Sequence, residues 1–295
     1  MKYLPFIPFI IIKILPILSV QAQENPDFYL NENGITIMCP DAEFGDTGEL
    51  NGITYTKRTK EEIQNSGSDT EIATSCTSGI TDMSAMLMSR TSFNEDISSW
   101  DVSNVTNMDS LFFSARTFDK PLAYWDVSQV TSMHSTFNIA TDFNQPINSW
   151  DVSNVNNMTS IFYSATEFNQ SLNDWDVSNV TDMSGMFHSA SDFNQPIGTW
   201  DVGNVTDMSN MFNRAYMFNQ SLANWDVSNV TDMSGMFSSA TKFNRTLNDW
   251  DVSNVTLMKE MFRNAGSFYQ SADLDNWDVS NVTDMSGMFH SARYF

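Results

Sequence analysis

Read as apolar against polar positions, the chain changes rhythm twice in every repeat. From Leu172 the order is L-x-x-W-x-V-x-x-V, set by Leu172, Trp175, Val177 and Val180. Side chains two apart on an extended chain share a face, so Trp175 and Val177 predict a short strand with both pointing inward. The spacing then widens to three and four, at Met183, Met186, Phe187, Ala190 and Phe193. That spacing predicts one apolar face of a short helix. Thr181, Asp182 and Ser184 precede it as N-cap residues. The "FNQ" at Phe193 ends the helix and turns the chain back.

The same order recurs along most of the chain. "WDVSNVTDMSGMF" is identical at Trp175, Trp225 and Trp277, and close variants start at Trp100, Trp125, Trp150, Trp200 and Trp250. These eight tryptophans are all the chain has, and they fall 25 residues apart until the last interval of 27, where "QSADLDNW" replaces forms such as "QSLNDW". A truncated unit, "GITDMSAMLMS", comes first. One unit cannot bury its own apolar face, but stacked units can, with Trp on Trp, Met on Met and Phe on Phe. Strands at about 4.8 Å would make a sheet about 35–40 Å long. The column Met83, Met108, Met133, Met158, Met183, Met208, Met233, Met258 and Met285 reads as deformable core filler rather than as metal or haem ligands. The expected fold is an α/β repeat solenoid of leucine-rich-repeat type, with one short strand and one short helix per unit. A parallel β-helix of similar period is the alternative.

Three regions follow. Residues 1–22, "MKYLPFIPFIIIKILPILSVQA", carry an early Lys, an apolar stretch and a small-residue exit ending at Ala22, which is the pattern of a cleaved signal peptide. A retained membrane anchor is the rival reading, but Pro5, Pro8, Lys13 and Pro16 interrupt the stretch and weaken it as a spanning helix. Residues 23–75 are non-repetitive, with β-like stretches such as "GITIMC" and "NGITYTK". They predict a capping segment. Residues 76–295 are the repeat array, which stops at Phe295 inside a unit. The two cysteines, Cys39 and Cys76, lie at or before its start. In an exported chain they are most simply a disulfide, which chain entropy would value at about 3–4 kcal/mol for a loop of this size.

The charge narrows the partners. Thirty-six acidic residues against 14 basic ones give a formal net charge of −22, which repels nucleic acid and anionic membrane alike. No basic run, glycine-rich phosphate loop or zinc spacing argues otherwise. His134, His188 and His290 are the only histidines, and no nucleophile, base and orienting acid converge in the sequence.

The candidate binding residues form a column. On a strand the residues flanking the inward Trp and Val face out, and each unit places an Asp directly after its Trp: Asp101, Asp126, Asp151, Asp176, Asp201, Asp226, Asp251 and Asp278. Carboxylates in line at about 5 Å repel by roughly 0.8 kcal/mol per pair in water and about 3 at an effective dielectric of 20, so something must offset them. One reading is an Asx-turn, with each Asp accepting backbone N–H groups two residues on. The other is a row of Ca²⁺ ions between successive carboxylates, although a calcium site needs six to eight oxygens. The Asn column (Asn104, Asn154, Asn179, Asn204, Asn229, Asn254, Asn281) reads as a buried amide stack bonding turn backbones. Its N-x-T sequons are incidental, because glycans cannot stand on adjacent units about 5 Å apart. The residues before each Trp are small and polar, with Tyr124 the one aromatic, so the face suits avidity better than a single tailored pocket.

The combined phrase, Trp-Asp-Val, Asn-Val-Thr, Met and Phe-Asn-Gln at fixed offsets over residues 76–295, resembles the repeat of BspA-like leucine-rich-repeat surface proteins, the DUF285 group. The resemblance implies an exported, surface-associated protein used in adhesion or protein binding, with extracellular proteins or polysaccharides as partners and no cofactor. The function expected is therefore a secreted or cell-surface interaction module without enzyme activity. A structural surface or matrix protein that self-associates is the alternative. A carbohydrate-active enzyme working through paired Asp residues is a third class, disfavoured because every unit offers the same Asp.

Overall fold

The computed structural model describes residues 25–269 and 274–295. The leader read as a signal peptide lies outside the described residues.

Among the described residues, the α-helices and the strands of two or more residues all lie at or before Cys76. A two-residue antiparallel pair, β1 (Tyr29–Leu30) and β2 (Ile37–Met38), comes first. β3 (Thr47–Leu50) and β4 (Ile53–Lys57) form a hairpin, and β5 (Ser75–Cys76) adds to β4 in parallel. Between β4 and β5 lie two short helices, α1 (Lys60–Asn65) and α2 (Asp69–Ala73). α1 opens on a capping box, with Thr59 and Glu62 each satisfying the other's backbone N–H, and Ser68 accepts from the N–H of Glu71 at the start of α2. Such caps matter most in helices this short, where few amides have intrahelical partners.

This segment closes one end of the repeat core. Ile63 of α1 and Ile72 of α2 are fully buried and belong to the same apolar cluster as Met83, Trp100 and the units beyond. Arg90 donates from one guanidinium nitrogen to the carbonyls of Ile63, Gln64 and Ser66 at 3.2, 2.9 and 2.8 Å, which satisfies the C-terminal end of α1. A second small core gathers Phe28, Ile37, Tyr55 and the disulfide between Cys39 and Cys76.

From Thr77 onward the described residues contain neither an α-helix nor a strand of two or more residues, apart from isolated single-residue bridges. The expected short strand and short helix per unit are not what these residues form. Asp82, Asn107, Ser132, Asn157, Asp182, Asp207, Asp232, Leu257 and Asp284 bridge in series, each parallel to the next. The stretch read as a helix is a chain of linked turns. Within Met183–Ala190 the N–H groups of Met186, His188 and Ala190 bond the carbonyls three residues back, of Met183, Gly185 and Phe187. The N–H groups between them, of Met183, Gly185, Phe187 and Ser189, cross to the next unit, to the carbonyls of Asp207, Ser209, Met211 and Asn213 at 2.7–3.0 Å. Alternate amides thus serve the turn and the neighbouring unit, and the backbone account closes without a helix.

The first and third of these turns take a positive φ at their third residue, as a type II turn does. Gly185 (φ 62°) and Ser189 (φ 57°) supply it in this unit, and the equivalent pair recurs in every other unit. Only three units place Gly at the first of these positions, and none at the second. Elsewhere Ser, Ala, Asn, Arg, Ile and Glu accept the left-handed region, at a cost that the cross-unit bonds must offset.

The inward positions are those the apolar pattern marked. Leu172, Trp175, Val177, Val180, Met183, Met186, Phe187, Ala190 and Phe193 are all buried. They stack on their counterparts: Trp150 on Trp175 at 6.5 Å and 4°, Phe162 on Phe187 at 5.7 Å, Phe168 on Phe193 at 6.1 Å. Within the unit Phe187 lies on Phe193 at 3.9 Å. The methionine column is buried from Met83 to Met258, and only Met285, in the last unit, is exposed. One continuous core therefore runs along the stack, and both its walls are other copies of the same residues.

Candidate functional site

The Asp column stands on an exposed strip of the stack. Asp126, Asp151, Asp176, Asp201, Asp226, Asp251 and Asp278 are exposed. In each, Oδ1 accepts the N–H two residues on, from Ser128, Ser153, Ser178, Gly203, Ser228, Ser253 and Ser280, at 3.0–3.1 Å. Asp151 also accepts the Ser153 hydroxyl at 2.6 Å. This is an Asx-turn, followed at once by the Val177–Val180 turn and its equivalents. Ser178 holds Asp176 below the usual carboxylate range through its hydroxyl and then its backbone N–H, and Ser228, Ser253 and Ser280 do the same for Asp226, Asp251 and Asp278. The neighbouring Asp251 pushes weakly the other way on Asp226 and Asp278. At these four positions hydrogen bonding thus outweighs the repulsion between neighbours.

Asp101 stands apart. It is 3% exposed, and its partners include Thr77 and Ser78, just after β5. Its carboxylate accepts the hydroxyls of Ser78 and Ser103 at 2.6 and 2.7 Å, and its carbonyl accepts Thr77 Oγ1 at 2.9 Å. It anchors the cap and is not part of the open face. Among the described residues no three His, Cys, Asp or Glu side chains come close enough together to hold a metal ion. The column offers each prospective cation one carboxylate per unit.

The Asn column bonds backbone but is not buried. Asn154, Asn179, Asn204, Asn229, Asn254 and Asn281 are exposed, and each Nδ2 donates to a turn carbonyl of the preceding unit at 2.7–2.8 Å, as Asn179 does to Ser153. With their amides so engaged, they are joints between units.

Two further features escaped the pattern reading. The first is a second ladder, in "FNQ". The N–H of Asn194 donates to Asn169 Oδ1 at 3.0 Å, that of Asn169 to Asn144, and that of Asn219 to Asn194. Gln195 Nε2 donates to the same Asn169 oxygen at 2.9 Å. The Asn and Gln read as a chain reversal are therefore rungs between units.

The second is a polar groove on the strip made by the linked turns. The two positions after each Met-Phe, or its equivalent, lie along that strip, and they differ from unit to unit: Tyr163-Ser164, His188-Ser189, Asn213-Arg214, Ser238-Ser239, Arg263-Asn264. The groove is about 420 Å³. The Tyr163 and His188 rings stack at 4.3 Å and 5°. Burial, and secondarily the Arg214 charge, lowers the His188 pKa to about 4. The ring is neutral at pH 7, and one nitrogen donates while the other accepts. Arg263 pairs with Glu260 at 2.9 Å. The signal for this groove was present in the sequence as variation inside an otherwise constant phrase.

Comparison with curated proteins finds none that matches this sequence. A repeat family described as "Mycoplasma protein of unknown function, DUF285" matches three times, over residues 59–173, 145–230 and 217–295. These overlapping matches begin at the residue that caps α1 and run unbroken through the stacked units, and the chain belongs to the DUF285 family.

Proposed function

We propose that this chain is an exported interaction module, a repeat solenoid that binds extracellular proteins or polysaccharides through its long exposed face and performs no catalysis. The observation that carries the reading is the exposed Asp strip: seven carboxylates, one per unit, held in the same geometry by the same Asx-turn. Such a face suits a ligand that is itself repetitive, since many weak, equally spaced contacts add through effective concentration. The disulfide between Cys39 and Cys76 favours an oxidising compartment, in keeping with secretion or display at the cell surface. The interior is used up in stacking, and each polar joint between units is already bonded, so recognition falls to the faces.

The test is binding of residues 23–295 to a panel of extracellular proteins and polysaccharides, in Ca²⁺ and again in EDTA. Saturable binding supports the module. Loss of that binding in EDTA assigns it to cations on the Asp strip, and indifference to EDTA leaves the carboxylates to shape the turn. Absence of binding across the panel, with concentration-dependent self-association in light scattering, overturns the reading in favour of a structural matrix protein.

A further inference from the structure

The Asp strip repeats one group, whereas the turn strip does not, and the contrast locates specificity. Most other positions of the phrase serve the core, a turn or a ladder between units. At the positions after Met-Phe the backbone shares that burden but the side chains carry little of it, and there the chain places varied chemistry: Tyr163, His188, Asn213, Arg214 and Arg263. They converge on one groove.

Its contents select a ligand class. The volume falls within the range of small-ligand sites, yet the lining is hydroxyls, amides, a neutral imidazole, two guanidiniums and one carboxylate, that of Glu260. The aromatic surface the groove offers is the Tyr163 ring, already stacked on His188, and the rest of the lining is polar. A ligand dense in hydroxyls finds donors and acceptors on every side. The guanidiniums add a sign. The chain carries −22 overall, and this groove is a place where positive charge prevails. Arg263 is paired with Glu260, but Arg214 is exposed and has no carboxylate within ion-pair distance among the described residues. Arg214 and Arg263 stand two units apart, about 10 Å at strand-like spacing. A planar, fork-shaped donor is suited to a carboxylate.

We infer that the groove lined by Tyr163, His188, Asn213, Arg214, Ser239 and Arg263 is a binding site for an acidic polysaccharide, with Arg214 receiving the carboxylate of a uronic acid residue. The inference rests on the interaction-module reading only in placing the chain where such polymers occur. It differs from that reading in the surface used, and it requires no cation.

The experiment is calorimetric titration of residues 23–295 with tetragalacturonate in EDTA, beside the neutral galactose oligomer and a sulfated oligosaccharide of equal length. Binding of the uronate alone is expected, weakened at least tenfold by Arg214→Gln and partly restored in Arg214→Lys. A matching melting temperature for Arg214→Gln shows that the fold is intact. Equal binding of the neutral or the sulfated oligomer, or uronate binding indifferent to Arg214→Gln, overturns the inference. No uronate binding, alongside binding elsewhere in the panel described above, removes the groove and leaves the module standing. Loss of both removes both.

Discussion

The indole N–H of Trp175 donates to the backbone carbonyl of Ile147, 28 residues earlier, at 3.0 Å. Trp200 does the same to Leu172, Trp225 to Ile197 and Trp250 to Leu222, and the first, Trp100, reaches the carbonyl of Ile72 in the cap. Each Trp thus fills the core of its own unit and ties it to the one before. A Leu in its place could fill space but could not donate, which is a physical reason for all eight tryptophans to sit at one position.

Trp175→Ala should destabilise by about 3–5 kcal/mol as a large core truncation. Trp175→Phe keeps a ring in the stack but leaves the Ile147 carbonyl unpaired, a cost of about 1–3 kcal/mol. Urea denaturation followed by circular dichroism separates the two. A Phe variant as stable as the parent would show that the indole N–H contributes nothing.

Two asparagine columns should behave differently. Asn169 takes two donors from the next unit, Asn194 N–H and Gln195 Nε2, at a partly buried position. Asn169→Ala strands both and should cost about 1–3 kcal/mol. Asn179 is exposed and makes one bond to Ser153, and Asn179→Ala should cost less than about 1 kcal/mol, since water can replace it. The reverse order in thermal melts would mean that the exposed joints carry the stack.

Acid should act through His188 before it acts on the carboxylates. In the unfolded chain this histidine takes up a proton near pH 6.5, and in the fold only near pH 4. Over that window the unfolded state binds more protons, so this group makes stability fall as pH falls from 6.5 toward 4, and adds no further loss below it. Asn occupies the same place in other units, at Asn138 and Asn213, so His188→Asn is a conservative replacement. Its melting temperature should change less than the parent's between pH 6.5 and 4. Parallel curves for the two proteins would remove the histidine from the account.

The lowered pKa of Asp226 has a named source in Ser228. Ser228→Ala removes the hydroxyl, the larger contribution, and should move the carboxylate back toward its ordinary value while the backbone N–H still bonds it. Because the folded value is depressed, stability from this group is present above the unfolded pKa and lost as pH falls through the folded one. Carboxyl-carbon NMR titration reads the shift directly. An unmoved titration would assign the lowering to the backbone alone.

The inward residues were legible in the sequence because burial leaves a period, and Leu172, Trp175, Val177 and Val180 lie where the pattern put them. The helix was misread for a related reason. Turns that close three residues back place Met183, Met186, Phe187 and Ala190 inward at spacings a helix would also give. What separates the two is φ, and Gly185 and Ser189, four apart, were its faint trace. The Asx-turn could be read from "DVS" because both partners lie two residues apart. The Asn169–Asn194 rung could not, since its partners are 25 residues apart and nothing local marks the donor. Asp101 has the same sequence neighbours as its seven counterparts, and only its burial against Thr77 and Ser78 sets it apart. The groove went unread because its residues are those the repeat does not fix.

The interval of 27 residues before Trp277 bears on how such a chain could change. By Trp277 the ladders have resumed: its indole reaches Leu247, Asn281 reaches Ser253 and Thr283 reaches Thr256. Two extra residues have been absorbed ahead of Trp277 without loss of register beyond it. Elsewhere one junction between units is much like the next, so recombination that drops or duplicates a whole unit would join surfaces already complementary. The groove, lined by five particular units, is the stretch where such an exchange would change the surface the protein presents.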